Sequence, residues 1–181
     1  MPGVTQWSCG QNQRHGVILS VNLFFSEIRG KRAYSSPMAA AIAPLLIALA
    51  SFVLRLVNLG ATKGYIFDEV YYVDGARDLL KYGVEVSGSN PEFIVHPPVG
   101  KWLIAAGIAI FGDNEFGWRF ATALVGTLLI LVFARLIHVL FYSPVLTGLG
   151  AALMALDGLL LVHSRTALLD LFLTFFVLVG V

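Results

Sequence analysis

Two adjacent carboxylates, Asp68 and Glu69, stand in the stretch "YIFDEVYYVDGARDLLKYG", soon after a long apolar run. Carboxylates in such a position can accept a proton in general-base chemistry or hold a divalent cation. A structural alternative is that Asp68 caps a short amphipathic helix, because aspartate is favoured at helix N-caps and Val70 and Val73 would then share one stripe. This stretch alone leaves both interpretations open.

A second candidate is the motif "HPPVGK", in which His96 precedes two prolines and Lys101 follows a glycine. The prolines restrict the backbone at this point. We expect the chain to meet the membrane surface again here, so that the imidazole and the ammonium group can face an anionic headgroup.

Four charged residues near predicted membrane boundaries complete the candidate set, namely Arg55, Arg119, Arg165 and Asp170. Arg55 and Arg119 also fit a plain role as interfacial anchors. Asp170 falls inside an apolar segment, where an unpaired acid costs about 2.5–3.5 kcal/mol. Arg165 is a candidate partner that would neutralise it.

Composition indicates that these residues belong to a membrane protein. Of 181 residues, 57% are hydrophobic and 13% are charged, and the mean hydropathy is +0.80. The net charge of +1, without a basic block, gives no reason to expect a nucleic-acid partner. The single cysteine, Cys9, cannot form an internal disulfide.

The hydropathy pattern predicts an all-α polytopic chain. We assign residues 1–37 to a cytoplasmic leader, 38–59 to a first transmembrane helix, 60–117 to an extracytoplasmic loop with amphipathic or interfacial helices, 118–140 and 145–163 to two further transmembrane helices, and 167–181 to the start of a fourth. Translation from Met1 and from Met38 are both compatible with the composition. The fourth segment would rise only about 22 Å, so we expect the N-terminal part of a longer protein.

Charge sets the orientation of these segments. Arg29, Lys31 and Arg32 precede the first span, which predicts a cytoplasmic N-terminus and an outer location for Asp68 and Glu69. The apolar stretch "KWLIAAGIAIF" is too short to cross and is predicted to be interfacial. Extending it backward through "FIVHPPVG" would give a segment nominally long enough to cross the membrane. That crossing would reverse the membrane orientation of all later segments.

The ordered set of motifs resembles the protein O-mannosyltransferase family, in its actinobacterial form. The set comprises an arginine near the end of the first span, "FDE", "HPP-x-GK", "WR" opening the second span and "SR-x-x-LLD" opening the fourth. The resemblance covers residues from about Ala40 to Val181, which would correspond to about the N-terminal third of a family member.

The resemblance implies a GT-C glycosyltransferase fold in the plasma membrane, with the active face outside the cell. Such enzymes transfer mannose from polyprenyl-phosphate mannose to Ser or Thr hydroxyls of secreted proteins, with inversion. By similarity, Asp68 takes the proton from the acceptor hydroxyl, and Glu69 orders the site or the acceptor peptide. Donor-phosphate binding or site organisation falls to the remaining candidates: Arg55, His96, Lys101, Arg119, Arg165 and Asp170.

The resemblance also bears on cofactors and partners. We expect no cofactor beyond the lipid-linked donor; a divalent metal is compatible with the clustered acids but is not required. Secreted polypeptides are the implied acceptors, and their delivery by the secretion machinery is compatible with this scheme. We expect residues 1–181 alone to be inactive.

Two other functions remain open. One is a GT-C transferase that uses a different lipid-linked sugar. The other is a noncatalytic transporter or assembly subunit, in which Arg55, Asp157 and Asp170 line a polar path or hold helices together.

Overall fold

A computed structural model describes residues 37–87, 90–91 and 96–180. These residues form seven helices and one small hairpin: α1 (Pro37–Leu56), α2 (Glu69–Tyr82), β1 (Val86–Ser87), β2 (Asn90–Pro91), α3 (Val99–Phe111), α4 (Glu115–Phe141), α5 (Pro144–Leu156), α6 (Gly158–His163) and α7 (Asp170–Val179). The prediction of an α-helical chain is confirmed, since the two antiparallel strands in this part of the chain have two residues each. Of the predicted leader, residues 1–36 lie outside the described residues.

Helix α4 is the centre of the bundle, and α1, α3, α5 and α7 pack against it. Its start is set by Asn114, whose side-chain oxygen accepts hydrogen bonds from the N–H groups of Phe116 and Gly117, each at 3.1 Å. Its middle carries fully buried apolar side chains, including Leu129 and Ile130. At 27 residues the helix is about 40 Å long, so it connects the two ends of the bundle.

The outer surface of the bundle is apolar. Among the described residues, α4 is the one helix both long and apolar enough to cross a membrane, while the apolar stretch Ala40–Leu56 of α1 and helices α3, α5 and α7 are shorter. Leu46, Leu153 and Val177 on α1, α5 and α7 are exposed. Exposed large aliphatic side chains on several helices are the surface expected of a protein that faces lipid.

The stretch predicted as a single span over residues 145–163 contains two helices. Helix α5 ends at Leu156, and Asp157 adopts an extended backbone conformation before α6 begins. The Asp157 carboxylate accepts a hydrogen bond from the N–H of Leu160 at 2.6 Å. The break therefore follows from the preference of aspartate for an N-cap over a helix interior.

The described residues between α1 and α4 include α2 and α3, and α3 packs against α4. Helix α2 packs on α3 and ends at Gly83, whose φ of +75° favours glycine. Helix α3 has 13 residues and begins at Val99; residues 96–98 are not helical, so the longer span considered above does not form there. The two prolines account for this helix start.

Candidate functional site

Glu69 lies at the first position of α2 and is completely buried. Its carboxylate forms a two-point ion pair with Arg119, with Nε and Nη2 each 2.8 Å from an oxygen. The same oxygens accept hydrogen bonds from the N–H of Ile66 at 2.8 Å and of Ala167 at 2.6 Å. Both oxygens are fully engaged, so Glu69 joins α2 to α4 and to the segment before α7.

The guanidinium of Arg119 is likewise occupied by hydrogen bonds within the protein. Besides Glu69, its guanidinium donates to the carbonyl oxygens of Thr62 and Gly64, both at 2.9 Å, and to that of Leu59 at 3.4 Å. The side chain is 1% exposed. These contacts fix the chain between α1 and α2 and leave no outward-facing donor for a ligand.

Asp68 stands one residue earlier in a different environment. It occupies the N-cap position of α2, yet its side chain makes no capping hydrogen bond. The alternative role of Asp68 as a helix cap therefore fits its position in the backbone but not its carboxylate. The side chain is half-buried and lines a cavity of about 490 Å³. Within the described residues it has no hydrogen-bond or ion-pair partner, which leaves it available to a ligand.

The residue before Asp68 is strained and exposed. Phe67 has φ of +53° and is 81% exposed. A bulky residue in the left-handed region is uncommon, and such strain concentrates at functional sites. The geometry presents an aromatic ring at the start of the helix that carries Asp68.

Lys101 is buried in the wall of the same cavity, where it forms an ion pair with Glu85. The two side chains are 6% and 7% exposed. The other oxygen of Glu85 is buried without a hydrogen-bond partner among the described residues. Lys101 is therefore the counter-ion of a buried acid, and Glu85 is a site residue that sequence reasoning missed, since no local motif links positions 16 residues apart.

Arg55 and Arg165 meet at the end of α1. The fully buried Arg55 donates to Ser164 Oγ at 2.8 Å and to the hydroxyl of Ser51. Arg165 donates to the carbonyl oxygens of Leu54 at 3.0 Å and Asn58 at 3.3 Å. These contacts tie the segment before α7 to the C-terminal end of α1, where cations stabilise unpaired carbonyl groups.

Asp170 is not placed as the sequence suggested. It is the first residue of α7 rather than an interior one, and its exposed carboxylate has no ion pair with Arg165 within the described chain. Helix N-termini favour negative charge, so much of the free-energy cost expected for an unpaired acid inside an apolar segment does not arise. It lines a second, largely apolar cavity of about 260 Å³, together with Tyr72 and His96.

Tyr72 and His96 separate this apolar cavity from the one that contains Asp68, because both residues line both cavities. Their rings meet edge to face, with centroids 5.4 Å apart. Burial, together with the charges of Asp68 and Asp170, raises the pKa of Tyr72, so its hydroxyl stays protonated at neutral pH. His96 is exposed and makes no hydrogen bond within the described residues.

Sequence reasoning also missed a polar cluster beside the site, which we name the Arg77 clamp. Arg77 forms two hydrogen bonds to Asp113, at 2.8 and 2.9 Å, and donates to Tyr65 Oη and Asp74, both at 2.6 Å. Trp118 Nε1 donates to Asp113 at 2.7 Å. The clamp joins α2 to the turn between α3 and α4; only the spacing of Asp74 and Arg77 by three residues offered a sequence signal.

No group of three His, Cys, Asp or Glu side chains within the described ranges is arranged to hold an ion. Around the polar cavity, the described residues offer the unpaired carboxylate of Asp68, the exposed imidazole of His96 and the buried ion pair of Lys101 with Glu85.

The chain is similar in sequence to a family of known proteins. Residues 95–181 match the family model described as dolichyl-phosphate-mannose-protein mannosyltransferase. No solved structure gives a significant match.

Curated relatives extend the match toward the N-terminus. The chain is 46% identical to the polyprenol-phosphate-mannose–protein mannosyltransferase of Mycobacterium tuberculosis over 138 residues, which make up 73% of this chain and 26% of that protein. It is 36% identical to the protein of the same name from Corynebacterium glutamicum over 141 residues, 73% of this chain and 27% of that one.

A relative with a different printed activity matches over a shorter range. This is an undecaprenyl phosphate-alpha-4-amino-4-deoxy-L-arabinose arabinosyl transferase of Pseudomonas fluorescens, 36% identical over 104 residues, 56% of this chain and 19% of that protein. The chain thus spans about a quarter of the length of the mannosyltransferases it matches. The resemblance to the protein mannosyltransferase family that was inferred from the motifs is confirmed, by the family model over residues 95–181 and by relatives 36–46% identical over about three quarters of the chain.

Proposed function

We propose that the protein containing this chain transfers mannose from polyprenyl-phosphate mannose to Ser or Thr hydroxyls of secreted polypeptides, with inversion, at the outer face of the plasma membrane. The family match and the printed activities of the relatives support the reaction class. A multi-pass GT-C architecture with a cytoplasmic N-terminus belongs to the same proposal.

The observation that carries the proposal is the availability of Asp68. Its carboxylate lines the polar cavity without a partner among the described residues, whereas both oxygens of Glu69 are occupied. A general base must reach the proton it removes. The position of the unpaired Asp68 carboxylate in the cavity wall supports this role, and in the proposal Glu69 acts by holding α2 in place.

The proposed reaction is a single displacement. Asp68 takes the proton of the acceptor hydroxyl as that oxygen forms a bond to the anomeric carbon of mannose. The bond between this carbon and the phosphate oxygen breaks, and polyprenyl phosphate leaves with the electron pair. Attack from the face opposite the phosphate inverts the configuration.

We place the donor at the boundary between the two cavities. A polyprenyl tail requires an apolar surface and its phosphate a polar one, and the cavities adjoin at Tyr72 and His96. His96 is the candidate for contact with phosphate, since its imidazole is exposed and free of hydrogen bonds in the described part of the chain. Arg55, Lys101, Arg119 and Arg165 instead organise the surrounding backbone and Glu85.

The test is mannosyl transfer in membranes that contain the complete gene product, with a threonine peptide as acceptor. We expect Asp68→Asn to lower kcat about 10²–10⁴-fold, the range for loss of a general base. Insertion and thermal unfolding should be unchanged, because the Asp68 carboxylate holds no other part of the protein. Near-normal turnover in this variant would refute the assignment of Asp68 as the general base.

A second candidate is transfer of another lipid-linked sugar, favoured by the match to an arabinosyl transferase. A panel of polyprenyl-phosphate donors separates the two. Transfer from a lipid-linked arabinose and not from the mannose donor would overturn the choice of sugar.

A further inference from the structure

The cavity beside Asp68 carries an excess of negative charge. Among the described residues, its wall includes four acids, Asp68, Asp74, Asp78 and Glu85, against one lysine, Lys101, and the imidazole of His96. Cavities lined by one sign of charge concentrate the field that an entering ligand meets.

The charges are not all compensated within the protein. Lys101 pairs with Glu85, and Arg77 donates to Asp74 at 2.6 Å. Asp78 accepts a hydrogen bond from the N–H of Val86 at 3.1 Å but forms no ion pair in the described segments. Lys81, three residues further on, lies 4.8 Å from the ring centroid of Tyr82 and attracts the Asp78 carboxylate without forming an ion pair with it. Asp68 and Asp78 thus line the cavity without an ion-pair partner among the described residues.

Glu85 adds an independent indication of a ligand. It is 7% exposed and lines the cavity, yet one of its carboxylate oxygens has no hydrogen-bond partner among the described residues. Buried acceptors in folded proteins normally have a donor. A ligand that brings N–H or ammonium donors into the cavity would supply one.

We propose that this cavity binds the acceptor polypeptide and selects segments with lysine or arginine beside the acceptor hydroxyl over segments with acidic neighbours. The inference rests on the proposed function and adds the acceptor specificity. Cationic side chains and backbone N–H groups complement Asp68, Asp78 and Glu85, whereas a carboxylate or a phosphorylated neighbour would be repelled.

The experiment compares three acceptor peptides with one threonine flanked by lysine, glutamine or glutamate, assayed with the complete gene product and polyprenyl-phosphate mannose. We expect kcat/KM to fall in that order, with a lysine-to-glutamate ratio of about tenfold at low salt that shrinks as NaCl is raised. Asp78→Asn should lower the ratio about threefold, because the amide oxygen can still accept from Val86 while the charge is lost.

Glu115→Gln is the matched control. It removes one carboxylate near the start of α4, outside the cavity wall, and should leave the ratio unchanged. If Asp78→Asn does not fold, the salt dependence of the unmodified protein decides in its place.

The possible outcomes separate this inference from the function on which it rests. Mannosyl transfer with equal kcat/KM for the three peptides would overturn the inference and leave the function intact. Absence of any mannosyl transfer would overturn both. A preference that appears with Mg²⁺ and vanishes in EDTA would also overturn the inference, because the carboxylates would then be holding a cation.

Discussion

Asp68 and Glu69 are neighbours in the chain, but they lie in opposite environments. Glu69 is completely buried and both of its oxygens are bonded to Arg119 and to two backbone N–H groups. Asp68 faces a cavity of about 490 Å³ with no partner in the described residues. A carboxylate whose oxygens are both hydrogen-bonded can stabilise the fold, whereas a general base needs an oxygen that is free to accept a proton.

The comparison also explains why the two residues are adjacent. The Glu69–Arg119 pair fixes the first turn of α2 against α4 and, through Ala167, against the segment before α7. Asp68 is one residue away from this fixed point, so its position is defined without contacts of its own. We therefore expect substitutions in the contacts around Asp68 to affect stability, and Asp68 itself is replaced only as a control.

The largest effect on stability is expected from Glu69→Ala. This change leaves the buried guanidinium of Arg119 without its counter-ion, which typically costs about 3–5 kcal/mol. Denaturant titration of the purified protein in detergent would measure the free energy of unfolding. Asp68→Ala is the matched control and should cost well under that amount; equal losses for the two variants would remove the distinction between them.

A smaller effect is expected from Arg77→Ala, which dismantles the Arg77 clamp. The pair with Asp113 is partly exposed, with side chains 31% and 48% accessible, so we expect a loss of about 1 kcal/mol in unfolding free energy. Lys81→Ala, an exposed cation on the same helix, should have almost no effect. Because the clamp holds the helix that carries Asp68, kcat should fall while KM for the donor stays constant.

The smallest effect is a pH dependence. Hydrogen bonds from Arg77, aided by the Trp118 indole and opposed by burial, lower the pKa of Asp113 from its ordinary value of 3.8. The clamp's stabilisation is therefore complete above that value and is lost as pH falls through the lowered pKa. Unfolding midpoints between pH 7 and pH 3 should drop less in Asp113→Asn than in the unmodified protein; parallel curves would show that the clamp contributes nothing.

Local sequence signals predicted several of the helices and singled out two residues that the structure brings together. Hydropathy predicted helical segments over 118–140 and around Lys101–Phe111, where the structure has α4 and α3. The motif order pointed to Glu69 and Arg119, which form a direct ion pair across 50 residues of sequence.

Contacts between distant, unremarkable residues could not be predicted. Glu85 pairs with Lys101 and Arg55 with Ser164 because the tertiary packing brings them together, and neither pair follows a helical or strand period. The break at Asp157 was missed because an apolar run hides a capping residue. The roles assigned to the site residues remain predictions.

Carbodiimide labelling of the membrane-embedded protein, read by mass spectrometry, tests the difference between the two carboxylates most directly. We predict rapid modification of Asp68 and protection of Glu69 until the protein unfolds. Modification of Glu69 at the same rate as Asp68 in the folded protein would contradict this prediction.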